Sequence, residues 1–328
     1  STGRRGPAIA HRRPLDAAAR GRYAGRHRSE GTRRMKIATA AYPLDPLGTW
    51  AEYAAKLSDW VGDAARQGAD LAVFPEYGAM ELAMLAGVEA AGDLERSLHA
   101  VDAVMADAAD LHADLAARHG LHILGASAPV FDSALGDRPV NRATLYTPTG
   151  ARGHQDKQIM TPFERDEWGV VPGGKLRLFD TALGTIGILI CYDSEFPLLG
   201  RAIAEADLIL VPSATEARSG YSRVRIGAMA RALEAQCVTV MASTVGAAAW
   251  SPAVDANTGA GGVYGPPDTG FPPTGVIAEG RLDRPGWTLA EVDLGAVARV
   301  RADGGVLNRH HWDDQAGRDA TVTPERLR

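Results

Sequence analysis

Two cysteines in 328 residues are too few for a disulfide framework, and neither Cys191 nor Cys237 has zinc-type ligand spacing around it. So few thiols fit a reducing compartment, and a cytoplasmic location is expected. Net positive charge is missing as well. At a formal -5 the chain as a whole has no electrostatic reason to bind nucleic acid or an anionic membrane, so neither is expected as a partner. Long hydrophobic runs are also absent. The longest uncharged apolar stretch, residues 181–192, falls well short of the roughly 20 residues a membrane-spanning helix needs.

What is present is 45% hydrophobic and 23% charged residues, enough for a large domain with a proper core. Residues 1–34 stand apart from it. They hold ten arginines opposed only by Asp16 and Glu30, and nothing in them has hydrophobic periodicity. This disordered arm has three readings: a basic tail, an organelle-targeting peptide, or upstream sequence ahead of a true start at Met35. The last is favoured, because a strand begins directly at the methionine. The domain is expected over residues 35–328.

From Met35 short apolar runs alternate with amphipathic stretches, the pattern of an α/β protein. Residues 36–42 read as a strand. Thr49-Trp50-Ala51-Glu52 is a capping box, and Tyr53, Ala54, Leu57, Val61 and Ala64 follow at helical spacing. Residues 70–74 form a short buried strand, and a second helix is predicted from Leu94 through Leu115, with Gly120 as its stop. Strands follow at 121–127, 142–147, 175–179, 185–190, 207–211 and 237–242, with helices from about Pro197 and over 222–235. Residues 245–273, rich in Gly, Pro and Ala, are expected to form a long ordered loop at a functional rim or interface, before strands resume at 275–278 and 287–292. The glycines of residues 259–265 do not lie between a strand and a helix, so they do not make a nucleotide loop.

Chemistry concentrates where strands end. Cys191 closes the apolar run Ile186-Gly187-Ile188-Leu189-Ile190 and opens the polar segment Tyr192-Asp193-Ser194-Glu195, a common setting for an activated nucleophile. Glu76 follows Phe74-Pro75, and Lys157 lies in Asp156-Lys157-Gln158-Ile159. Each alone reads as readily as an inert core thiol or a solvated charge; the ordered trio does not. Cys237, with no acid or base motif beside it, reads as a core thiol.

In these motifs, and over nearly all of residues 35–311, the chain resembles the nitrilase, or carbon-nitrogen hydrolase, superfamily. The resemblance implies a four-layer α-β-β-α sandwich and a Glu76-Lys157-Cys191 triad, with Glu164 matching the family's second glutamate. Its chemistry is hydrolysis of a non-peptide carbon–nitrogen bond, here a small linear amide, through a cysteine thioester. In that scheme Glu76 is the general base, and Lys157 and the backbone N–H of Tyr192 stabilise the oxyanion. Glu164 orients Lys157 and the incoming water. No metal or organic cofactor is implied, and a homodimer or higher even oligomer is expected.

Two departures from the family pattern matter. Arg231-Ala232-Leu233-Glu234 resembles its Arg-Ala-x-Glu signature, but Ala235 stands where Asn usually follows. The usual Gly-x-Ser strand is replaced by residues 261–268, which implies a substrate rim unlike that of the aliphatic amidases and nitrilases. The segments around Cys191 and residues 221–227 look most like a branch sometimes fused to an N-acetyltransferase, though no acetyltransferase segment occurs here. Nitrile hydrolysis, carbamoyl-amide hydrolysis and acyl transfer remain open on the same scaffold, as does a non-catalytic binding protein. Arg218, Arg223 or Arg225 could face a substrate carboxylate or could be surface charges.

Overall fold

β1 (Arg34–Pro43) starts one residue ahead of the methionine where the sequence predicts it. The computed structural model describes residues 34–318 and 323–327, so the rest of the arginine-rich arm lies outside the described residues. Next come α1 (Trp50–Arg66), β2 (Leu71–Val73), α2 (Val88–Ala91), α3 (Leu94–Asp102), α4 (Met105–His119), β3 (His122–Leu124), β4 (Ala128–Val130), β5 (Val140–Tyr146) and β6 (Arg152–Asp156). The second half holds β7 (Leu178–Thr181), β8 (Gly184–Ile188), α5 (Pro197–Ala202), β9 (Leu208–Ser213), α6 (Arg218–Ala235), β10 (Val238–Ala247), β11 (Ala256–Asn257), β12 (Gly262–Tyr264), β13 (Val276–Glu279), β14 (Gly286–Asp293) and α7 (Leu294–Asp303).

The strand order β4-β5-β3-β2-β1-β10-β9-β8-β7 hinges at its middle. β1 and β10 pair in parallel only at their ends, Ala41–Pro43 against Ser243–Val245. Over the rest of its length β1 pairs with β14, and β10 pairs with β9 on one side and β12 on the other. The ladder therefore divides into two halves that fold over each other.

Side-chain alternation makes the layers. Met35 and Ile37 of β1, with Leu71 and Val73 of β2, pack into a core shared with Ile186, Ile188, Leu208 and Leu210 of β8 and β9. Ala38, Ala40 and Tyr42, on the opposite face of β1, pack with Tyr53, Leu57 and Val61 of α1 and Leu115 of α4. On the other flank, Val224, Ala228 and Ala232 of α6 join the first core. Helices thus cover both outer faces of two stacked half-sheets, the four-layer α-β-β-α arrangement.

The capping box holds: Thr49 Oγ1 accepts from the Glu52 N–H at 3.3 Å, and Glu52 Oε2 accepts from the Thr49 N–H at 2.9 Å. Three expectations need correction. The helix predicted from Leu94 is two helices, because Val104 leaves helical geometry and Asp102 turns its carboxylate to the N–H of Phe131. The strand expected over 121–127 ends at Leu124, and the pairing with β5 is taken up again by a separate strand, β4, from Ala128. The stretch 245–273 is not all loop, since it includes the end of β10, then β11 and β12. Among the described residues no helix is long and apolar enough to cross a membrane.

Candidate active site

Glu76 lies three residues beyond β2, in a turn fixed from both sides. The Ser127 N–H donates to the Pro75 carbonyl at 3.1 Å, and Ser127 Oγ accepts from the Tyr77 N–H at 2.9 Å. Tyr77 itself sits in the left-handed region at φ 52°. Lys157 follows β6, and its N–H donates to the Asn141 carbonyl on neighbouring β5 at 2.9 Å. Gly173 lets the next segment cross this strand end: a Cβ there would lie 2.0 Å from that of Asp156.

Cys191 opens a short 3-10 turn (Cys191–Glu195) after β8, also in the left-handed region, at φ 48°. For a residue with a Cβ this backbone is costly and needs support from its surroundings. Ser194 Oγ donates to the Cys191 carbonyl at 2.7 Å, and buried Arg231 on α6 donates through Nη1 to the Ser194 carbonyl at 2.8 Å. Gly227, one turn earlier on α6, lets the helix approach so closely that an added Cβ would lie 2.8 Å from the Ser194 carbonyl oxygen.

The structure brings Glu76, Lys157, Glu164, Cys191 and Tyr192 to the wall of one cavity of about 370 Å³. Lys157 Nζ bridges the two carboxylates, 2.7 Å from Glu76 Oε1 and 2.6 Å from Glu164 Oε2. All three side chains are buried, and so is Cys191. Tyr192 is half-buried, its ring edge-on to Phe196. As the second residue of the turn it has an N–H with no acceptor inside the turn.

Burial dominates the electrostatics. It raises Glu76 above the ordinary carboxylate range, against the opposing pull of the Lys157 charge and of hydrogen bonds from Lys157 and the Cys191 thiol. Burial alone would drive Lys157 down, but the flanking carboxylates outweigh it and hold the ammonium firmly charged. Glu164 is also pushed up by burial, yet Lys157 and the hydrogen bonds from Thr161 and Tyr77 leave it below its usual value. The Cys191 thiol is pushed up by burial and by the Glu76 charge, so at rest it keeps its proton. Ser213 Oγ donates to the sulfur at 3.7 Å, and the Ala214 carbonyl oxygen lies at the same distance from it.

Three groups that orient this set are not legible as functional in the sequence. Asn141 Nδ2 donates to Glu76 Oε1 at 2.9 Å, and the Ala214 N–H donates to Glu76 Oε2 at 2.9 Å. Tyr77 donates its hydroxyl to Glu164 Oε1 at 2.8 Å. A polar residue directly after a strand-ending Glu was the one available signal.

Other expectations fall differently. Residues 261–268 do not line the cavity, because β12 carries them into the pairing with β10; the rim is formed instead by Pro252–Asn257, from the Gly- and Pro-rich stretch. Arg225 is turned to Glu279. Arg223 stands at the cavity mouth, Nε 3.4 Å from Glu195, while Arg218 begins α6 as an exposed residue. Cys237 is a fully buried core thiol.

Comparison with known proteins agrees with this architecture. The carbon-nitrogen hydrolase family model matches residues 36–301. The probable hydrolase YhcX of Bacillus subtilis is 33% identical over 83% of this chain and 52% of its own length, so the chain spans about half of that relative. A protein named deaminated glutathione amidase from Synechocystis is 26% identical over 73% of this chain and 85% of its own. Among solved structures, Saccharomyces cerevisiae Nit3, a member of branch 10 of the nitrilase superfamily, superposes with a TM-score of 0.64 at 20% identity, over 82% of this chain and 93% of Nit3. From its sequence over residues 36–301, the chain belongs to the carbon-nitrogen hydrolase family.

Proposed function

We propose that the protein is an amidase that hydrolyses a small linear amide through a thioester on Cys191. The observation that carries this reading is the meeting of a buried thiol, a buried carboxylate of raised pKa and a fixed ammonium on one cavity wall. Cys191 Sγ attacks the amide carbonyl carbon while Glu76 takes the thiol proton. A free thiolate is never needed at rest, which suits a thiol whose pKa is raised. The carbonyl oxygen becomes an oxyanion, received by Lys157 Nζ and the Tyr192 N–H; one such donor contributes roughly 3–4 kcal/mol.

Glu76 then passes its proton to the amide nitrogen, the C–N bond breaks, and ammonia or an amine leaves. Water enters, Glu76 takes a proton from it, and the resulting tetrahedral adduct expels Cys191, which regains the proton as carboxylate departs. Glu164 and Tyr77 keep Lys157 directed at the oxyanion. The relative named as an amidase, matched over most of both chains, supports amides as the substrate class.

An oligomer and a reducing, cytoplasmic setting complete the reading. Leu198 and Ile226, 80% and 64% exposed on the α5–α6 face, support association through that face. The test is ammonia release from a panel of ω-amides, carbamoyl amino acids and simple nitriles, with Cys191→Ala as control. Turnover on a member of the panel that vanishes in Cys191→Ala is expected; turnover retained by that variant would sink the mechanism.

A further inference from the structure

Asp193 is completely buried beside the two strand ends that carry Lys157 and Cys191. Its Oδ1 accepts the N–H of Ile159 at 2.9 Å and of Gln158 at 3.1 Å. Its Oδ2 accepts Gln158 at 3.1 Å and Ile190 at 3.2 Å. Gln158 and Ile159 directly follow Lys157, and Ile190 directly precedes Cys191. One carboxylate therefore joins the backbone on the two sides of the cavity wall. Its own N–H donates to the Ile190 carbonyl at 3.0 Å, closing the turn that holds Cys191 in its left-handed conformation.

We propose that Asp193 is a positioning residue whose carboxylate sets the spacing between the Lys157 ammonium and the Cys191 sulfur. It does not line the cavity, so it acts through these two groups and not on the substrate. Burial pushes the Asp193 carboxyl up to about 7, against the Lys157 charge and the N–H groups of Ile159, Gln158 and Ile190; since those backbone groups are all donors, an amide presenting its own N–H would set donor against donor. The kinetic consequence rests on the amidase reading, while the geometric claim concerns sulfur and ammonium alone. Misplacement of a reacting group by about 1 Å costs on the order of 100-fold in rate.

The experiment compares full-length wild type with Asp193→Asn in two ways: amide hydrolysis per titratable Cys191, and the rate of Cys191 alkylation by iodoacetamide followed by mass spectrometry. Expected are a kcat lower by about 10- to 100-fold with KM changed by less than about 3-fold, and a slower alkylation. A merely structural role would lower Tm and the folded fraction but leave kcat and alkylation per folded site unchanged, and that result overturns the proposal. If the Asn variant does not fold, Asp193→Ser, which leaves room for water to take the freed N–H groups, carries the same expectations. Should the wild type hydrolyse no member of the panel, the amidase reading fails, and the alkylation rates still decide the role of Asp193.

Discussion

Lys157 Nζ and Glu76 Oε1 lie 2.7 Å apart with both side chains out of water, and the second oxygen of Glu76 is held by the Ala214 N–H. The carboxylate therefore has a fixed orientation as well as a raised pKa. Replacing it by an amide keeps the shape and removes the proposed base. In Glu76→Gln, kcat for amide hydrolysis is expected to fall by about 10²- to 10⁴-fold. A near-wild-type circular dichroism spectrum would show that folding is intact, and steady-state ammonia release would measure the loss.

Gly227 tests the seat of Cys191 from behind. In an exposed helix interior Gly→Ala raises stability by roughly 1 kcal/mol, but here the added methyl would meet the Ser194 carbonyl oxygen at 2.8 Å. Gly227→Ala is expected to displace the Cys191 turn, slow Cys191 alkylation and lower kcat by at least about 10-fold. An unchanged kcat with raised Tm would mean the turn moves freely with α6.

His112 makes stability depend on pH. Burial lowers its pKa from 6.5 to about 4, against a hydrogen bond from Nδ1 to the Ala108 carbonyl. The folded form therefore holds the ring neutral while the unfolded chain takes up a proton below about pH 6.5. Stability is lost as pH falls from there towards 4, by about 2 kcal/mol between pH 7.5 and pH 5. Denaturant titrations of wild type and His112→Gln at the two pH values should show a smaller pH difference in the variant.

Thr49→Ala removes the hydroxyl that accepts the Glu52 N–H at the start of α1. About 1 kcal/mol of stability is expected to go with it, roughly 2 °C in Tm. Because α1 lies on the outer face, kcat should not change. A calorimetric scan and one activity assay check both halves of the expectation.

The order of elements was legible wherever periodicity was strong, as in α1 with its capping box and in β8, whose apolar run ends at Cys191. The break between α3 and α4 was not, because no Gly or Pro marks it and its cause is the distant N–H of Phe131. β6, with the sequence Arg152-Gly153-His154-Gln155-Asp156, has one strand partner, β5, and only its last two residues are buried, so it lacks apolar alternation. Within the site, Glu76, Lys157 and Cys191 announce themselves as reactive groups after strands. Asn141 and Asp193 do not, since their partners lie 65 and about 35 residues away and the link exists only once the half-sheets have stacked. The cavity rim was misjudged for the same reason: which Gly-rich segment faces Cys191 depends on β12 being drawn into its ladder.

The influence of Glu76 on the Cys191 thiol also bears on how the protein withstands oxidants. A sulfur held protonated beside a buried anion is a poor target for peroxide, since attack on the oxidant begins from the deprotonated form. Cys191 is therefore expected to resist irreversible conversion to sulfinic acid, which mass spectrometry after peroxide treatment would check.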